Sequence, residues 1–472
     1  MTTGAKAVIA SALAIGCTRQ PSPKVMPLGL IARDDGSALV HWQLGDRQPW
    51  LGRFSATALE WSTPLRGRVQ NISPDEGLLV QDDMVVLRVV QDSMPAYVAM
   101  DAYDVRDGHP HWHTPLVRLP EGKRVVSFER ATLSMYVSSV VTADRIGAVL
   151  ATPTGSNWVN IDARSGSIVN TLALDFTPMA PIEVSAQPIV FRGSHGAAVL
   201  TESRPEHLDI DGIGCGDGRN MFGARRAEDG WRLVHWTGGT RSERAFTENP
   251  ARTATVESCA LFRDTLSGDT VVFTIHDSSA RQSELWIVKI DGVVTGRIPL
   301  RGTIRPLNDV HLSFPVASQF GSNVTRFVPY VVSDRDRIVF TLVDLQKRAI
   351  AWSSELPALL LTTFQHDGRW YVSLLDATRL ELAVIDGHNG AVLGEAELEH
   401  QGGIEELRPQ YVNGGHVWLV SRAWSPLNDP GLARLDSTSL VPTVLRGGFQ
   451  IRANRGWLRH HAIEATNTKK PK

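Results

Sequence analysis

The chain of 472 residues carries 48 Lys and Arg against 50 Asp and Glu, a formal net charge of −2, with 42% hydrophobic and 21% charged residues. These proportions suit a globular protein with a core and exclude a charge-rich disordered chain. The near-neutral balance offers no electrostatic footprint for a nucleic-acid backbone, and the one basic cluster, Lys469, Lys470 and Lys472, sits at the extreme C-terminus.

Residues 1–17 read as an export signal: a cation at Lys6, a short apolar stretch from Ala7 to Gly16, and then Cys17. The apolar run is too short to span a bilayer. Its ending, Leu13-Ala14-Ile15-Gly16-Cys17, resembles the lipobox of bacterial lipoproteins, with Ala14 where that family usually has Leu. The resemblance implies cleavage before Cys17, lipid on its sulfur and a periplasmic or cell-surface address, with the protein held at the outer membrane. Residues 18–27, with Pro21, Pro23 and Pro27, then read as a stiff tether. Lipid on Cys17 leaves Cys215 and Cys259, of the three cysteines, free to pair; 43 residues lie between them.

From about residue 28 to 460 the chain reads as many short strands. Runs such as MVVLRVV, DTVVFTI, ELWIVKI, DRIVFTLV and HVWLVS are broken by Gly and Asp before a helix could form. Between them a unit recurs. The segment from Ala102 to Trp112 fits A-x-D-x-x-x-G-x-x-x-W through Ala102, Asp104, Gly108 and Trp112. A strand ends at the Asp, whose carboxylate can bind the backbone of the turn; the Gly supplies a positive φ; the next strand carries a Trp able to fill the gap between sheets. Degenerate copies keep Asp162 and Gly166 with Asn170 last, Asp344 and Trp352 with Arg348 at the glycine position, and Asp386 and Gly390 with Gly394 last. Asp291 and Asp436 head weaker copies, and EWSTPL at Trp61 echoes HWHTPL at Trp112.

This unit resembles the tryptophan-docking motif of PQQ-like propeller repeats, found in quinoprotein dehydrogenases and in BamB-type assembly lipoproteins. The resemblance implies an all-β propeller of four-stranded blades. From Asp104 the aspartates fall at intervals of 58, 129, 53, 42 and 50 residues. The interval of 129 leaves room for a diverged copy, for which GWRLVHWTGG at 230–239 is the candidate. Counting it gives about eight blades, with about seven, one enlarged, as the rival count. Residues 203–258 read as an insertion and 461–472 as a tail.

Two clusters could carry chemistry. Asp209, Asp211 and Asp217 lie among glycines in the segment 206–218, where their oxygens would suit calcium. The core D-x-D-G-I-G is similar to the calcium loops of thrombospondin type 3 repeats; the competing reading is a Gly-rich tip whose aspartates cap turns. His109, His111 and His113 alternate as an H-x-H metal pair would, but with Trp112 pointing between blades they read as a solvated outer face. No nucleophile elbow, P-loop or zinc-protease motif occurs in the sequence, so no catalytic residue is assigned.

The expected function is a non-catalytic scaffold or binding lipoprotein that meets protein partners at the propeller faces, as the BamB-type resemblance implies, and a membrane through its lipid. The alternative the resemblance leaves is a PQQ-dependent alcohol or sugar dehydrogenase. The adjacent cysteines and the calcium-binding Glu/Asn/Asp set of those enzymes find no match here, and no quinone is expected. Carbohydrate or another small ligand in the central funnel is the third reading.

Overall fold

A computed structural model describes residues 25–463, apart from connections of one to three residues and the stretches 70–76, 92–96, 119–136, 184–188, 201–204, 305–322, 401–407, 422–430 and 453–461. Among the described residues every regular element is a strand. The described strands form nine sheets in chain order, spanning 25–64, 68–118, 137–174, 178–208, 211–245, 254–300, 303–356, 360–400 and 408–446, here sheets 1 to 9; all pairs are antiparallel except Asn323–Val324, which runs parallel on the inner edge of sheet 6. Within each, chain neighbours pair as a meander. The physical origin is the one legible in sequence: β-rich runs of five to eleven residues, cut by tight turns that return the chain beside itself.

The sheets stand face to face in a ring. Sheets 1 and 2 share a core of Leu39, Leu51, Val85, Leu87 and Tyr103. Met84, Met100 and Ala102 of sheet 2 pack on Ile146 and Ile161 of sheet 3, and Phe222 and Trp231 of sheet 5 pack on Phe273 and Trp286 of sheet 6. One cluster runs through sheets 6, 7 and 8, another through 8 and 9. The ring closes where Trp418 and Leu432 of sheet 9 bury Ala38, Val40 and Trp42 of sheet 1. There Arg434 Nη1 also donates to Gly36 O at 2.9 Å across 398 residues of sequence. First strands of neighbouring sheets lie against one another, as at sheets 9 and 1, 4 and 5, and 5 and 6. They therefore surround the axis, and the fourth strands lie outermost. The molecule is an all-β propeller.

Among the described residues the strands group into nine sheets, where the motif spacing predicts about eight blades with seven as rival. The extra unit is sheet 4, from Pro178 to Leu208, whose last connection carries no Asp-to-Gly signature. The interval of 129 residues between Asp162 and Asp291 thus holds sheets 4 and 5, and divides into three steps of about 43, the size of one blade. The segment read as an insertion, 203–258, holds the last strand of sheet 4, all of sheet 5 and the start of sheet 6. The first strand, Val25–Ala32, starts inside the segment read as a tether, and Pro27 pairs with Trp42. Within the segment read as a tail, Ala462–Ile463 pairs with Ser354 and Ser353 of sheet 7. Cys17 lies outside the described residues.

Candidate functional site

The recurrent motif builds the seams of the ring. Asp104, Asp162, Asp344, Asp386 and Asp436 each end a third strand and close its turn to the fourth. Asp104 N donates to His109 O at 2.8 Å and Gly108 N to Asp104 O at 2.9 Å, while the Asp104 carboxylate accepts Arg106 N at 2.7 Å. The same pattern recurs at Asp162, Asp386 and Asp436. These bonds favour the ionised carboxylate. The Arg106 side chain, bonded at 2.8 Å, outweighs burial and holds Asp104 at about 2. Asp344 is also held low: against the burial that would raise it, the Arg326 guanidinium binds both its oxygens, at 2.8 and 2.6 Å.

Four residues past these five aspartates the backbone turns left-handed: φ is +72° at Gly108, +71° at Gly166, +54° at Arg348, +74° at Gly390 and +56° at Leu440; at Asp291 the turn differs, the third strand ending at Lys289 and Gly292 taking φ +90°. The geometry persists where the glycine does not. Onto this turn docks the fourth strand of the preceding sheet. Trp61 Nε1 donates to Val105 O at 3.2 Å and Trp112 Nε1 to Ala163 O at 3.1 Å, each indole lying where a Cβ on Gly108 or Gly166 would stand, 2.6 Å away.

The degenerate copies exchange large and small. In sheet 6, Gly296 takes the register position that Trp112 holds in sheet 2, each at the irregularity beside the turn. The Arg348 side chain of the next turn fills the space there, 2.6 Å from a Cβ position on Gly296. Gly394 in sheet 8 likewise takes the backbone of Thr438 and Ser439 in sheet 9. Trp352 lies tilted on Phe340, ring centroids 5.5 Å apart, and it is Phe327 and Leu342 that press on Gly390. Asn170 is exposed and accepts Asn160 Nδ2 at 2.7 Å.

Two aspartates of the acidic segment have protein partners. Asp209 pairs with Arg225 at 3.3 Å, and Asp211 accepts Arg226 N at 2.6 Å. Asp217 lies outside the described residues. Among the described residues no group of three or more His, Cys, Asp or Glu is placed to hold a metal. Within this segment Cys215 forms a disulfide: Cys215 and Cys259, with Cα atoms 5.5 Å apart, join the first strands of sheets 5 and 6 deep in their shared core.

The histidine row divides. His109 and His111 are exposed, whereas His113 is drawn into the seam between sheets 1 and 2. There its Nδ1 meets the buried Asp101 carboxylate and its Nε2 lies 3.2 Å from Tyr97 Oη; Tyr103 Oη donates to Asp101 at 3.1 Å. Burial, with Asp101 adding to it, drives the Tyr103 phenol well above its ordinary value. Both imidazole nitrogens are engaged, so the group ties two strands rather than offering a base to a ligand. Sequence reasoning missed Asp101 and its tyrosines. The signal was the hairpin register, which sets Asp101 opposite His113 once the turn at Asp104 is fixed.

No protein-family model matches the chain, and no curated protein sequence does. Among solved structures it is similar to BamB from Moraxella catarrhalis, at 13% identity and a TM-score of 0.40, covering 85% of this chain and 96% of that one. It is similar to apo AztD from Citrobacter koseri, at 13% identity and a TM-score of 0.34, covering 79% and 94%. It is also similar to the quinohemoprotein alcohol dehydrogenase from Comamonas testosteroni, at 10% identity and a TM-score of 0.39, covering 91% and 74%. With similarity at that level, the propeller assignment stands on this chain's own sheets, seams and closing contact.

Proposed function

We propose that the chain is an exported, non-catalytic β-propeller scaffold whose strand-connecting loops meet protein partners, held at a membrane by lipid on Cys17. The observation that carries the reading is the bond between Cys215 and Cys259, which are 0% and 1% exposed in the core between two blades. Such a bond persists in oxidising compartments, which supports export. That address agrees with the signal-like residues 1–17 and with the resemblance of the repeats to BamB-type lipoproteins. A second observation supports a scaffold: the Asp, Gly and Trp residues that recur are spent on fastening blade to blade. They build a rigid ring and leave the loops as the variable, partner-facing part.

The test has two arms. Cys17→Ser is expected to release the protein from the membrane fraction; a variant that fractionates as wild type overturns the anchor. Protein purified from membranes, with and without added calcium, is expected to carry no quinone by mass spectrometry and absorbance. Tight one-to-one quinone with alcohol-dependent dye reduction overturns the scaffold in favour of a dehydrogenase.

A further inference from the structure

The fourth strand of every blade is a sheet edge, whose outward N–H and C=O groups can pair with a further strand. Most of these edges are guarded. Glu60 stands in the outer strand of sheet 1, Pro115 in sheet 2, Pro205 in sheet 4, Arg241 in sheet 5, Pro299 in sheet 6 and Pro442 in sheet 9. Each is a charge or a proline, and both oppose further pairing. The outer edges of sheets 7 and 8 are covered by strands of the chain itself, Ala462–Ile463 and Phe449–Arg452.

Sheet 3 is the exception. Its outer strand, Ile168–Leu174, reads Ile-Val-Asn-Thr-Leu-Ala-Leu, with no charge and no proline, and among the described residues no strand pairs beyond it. Five of its seven residues are exposed, Ile168 and Val169 at 48% and 49%. Nor does a tryptophan clamp it to the next blade. Asn170 has the place that Trp112 has in sheet 2, and sheet 4 supplies no Asp-to-Gly turn to receive an indole. An exposed, uncharged, apolar edge of this kind joins strands between molecules.

Charge and symmetry select what it accepts. The strand offers no ionic partner to a charged segment, whereas it meets a copy of itself without like-charge repulsion. Two identical strands running antiparallel are related by a two-fold axis, so the contact closes on itself as a dimer. Full overlap puts that axis at the midpoint, Thr171. Thr171 then stands opposite its own copy, a pairing that hydroxyls favour, while Val169 meets Ala173 and Asn170 meets Leu172. The same operation on the outer strand of sheet 5 would bring Arg241, Glu243 and Arg244 into the contact.

We propose that the outer edge of sheet 3 is a self-pairing site: two copies of the chain join antiparallel through residues 168–174, about a two-fold axis at Thr171. The pairing merges two four-stranded sheets into one continuous sheet across the interface. It goes beyond the scaffold reading and does not depend on the lipid anchor or on any other partner.

The test uses full-length protein in analytical ultracentrifugation and amide hydrogen exchange. Wild type is expected to dimerise, with exchange in residues 168–174 slowing as concentration rises. Thr171→Lys and Thr171→Glu each set like charges against one another at the axis and should weaken the dimer about tenfold or more. Mixing the two variants should recover it, because opposite charges then meet. Thr240→Lys, an exposed position on the outer strand of sheet 5, is the control and leaves the dimer at wild-type strength. Thr171→Cys should join copy to copy through position 171 with a short bifunctional thiol reagent. A wild type that stays monomeric throughout the micromolar range, a dimer that tolerates both charged variants, a mixture no stronger than either alone, or no link between copies overturns the proposal. A link from Thr171→Cys to a different protein in intact cells, with none between copies, gives the edge to another chain and overturns it as well.

Discussion

Replacing Gly166 by Ala tests the docking of one blade on the next. Three effects add at this position. Its φ of +71° strains any residue with a Cβ, at about 1 kcal/mol. The new methyl would stand 2.6 Å from Cδ2 and Cε3 of Trp112 and 2.7 Å from Thr114 Oγ1, so the indole must move, at about 1–2 kcal/mol for crowding a packed seam. Moving it breaks the bond from Trp112 Nε1 to Ala163 O, worth about 1 kcal/mol more. The expected loss is about 3–4 kcal/mol in denaturant unfolding. Gly415 is the control, because its φ is +76° with nothing within 4 Å of a Cβ, so Gly415→Ala isolates the backbone strain at about 1 kcal/mol. In a Trp112→Ala background the cost of Gly166→Ala should fall to about 1–2 kcal/mol, giving a coupling energy of about 2 kcal/mol. If Gly166→Ala costs no more than Gly415→Ala, or if its cost is unchanged without the indole, the turn is not a docking site and the motif only shapes the hairpin.

Replacing both Cys215 and Cys259 by Ser should lower stability by about 4 kcal/mol in the chain-entropy account of a 44-residue separation. Non-reducing mass mapping of wild type should find the two joined; free thiols at both would refute the bond. Burial pushes the His41 imidazole from 6.5 down to about 3. The unfolded chain therefore binds a proton that the folded chain refuses, and stability falls as pH drops below 6.5, by about 2 kcal/mol at pH 5, until the folded group also titrates. His41→Leu should flatten the pH dependence of unfolding between pH 7 and 5, and an unchanged slope would refute the assignment. A second loss follows below about pH 4, as Asp104 and Asp277, both held at about 2, are protonated. Arg326→Ala leaves the Asp344 carboxylate, 3% exposed, without its cation and should cost about 3 kcal/mol, with Asp344→Asn in the same chain recovering part of it by thermal melt.

The fold was legible because its repeating element is local. An aspartate whose carboxylate collects turn amides, a residue with positive φ four places on, and a bulky residue eight places on are all close in sequence, so Asp104, Gly108 and Trp112 could be read directly. Sheet 4 was not legible as a unit because its final connection lacks that signature, and its presence showed only in the length of the interval it occupies. The surroundings of the site-like clusters were less legible for a related reason. That Asp209 meets the Arg225 guanidinium and Asp211 the backbone N–H of Arg226 shows only once the strands are paired. His113 looks solvated until the register sets Asp101 opposite it.

The degenerate copies show what the repeat conserves physically. At Trp112 over Gly166 the large residue comes from the strand and the small one from the turn; at Gly296 under Arg348 the roles reverse. What is maintained is the filled volume between one blade and the next, with the left-handed turn held even where Arg348 must bear its strain. Two ways of filling one gap imply that restoring a single partner cannot help. Gly296→Trp should fail to fold beside Arg348, and Arg348→Gly alone should open a void at the seam. Together the two changes should recover most of the wild-type melting temperature, because they rebuild the Trp-over-Gly arrangement of sheets 2 and 3. A double variant no more stable than the worse single one would mean that the two residues do not share one space.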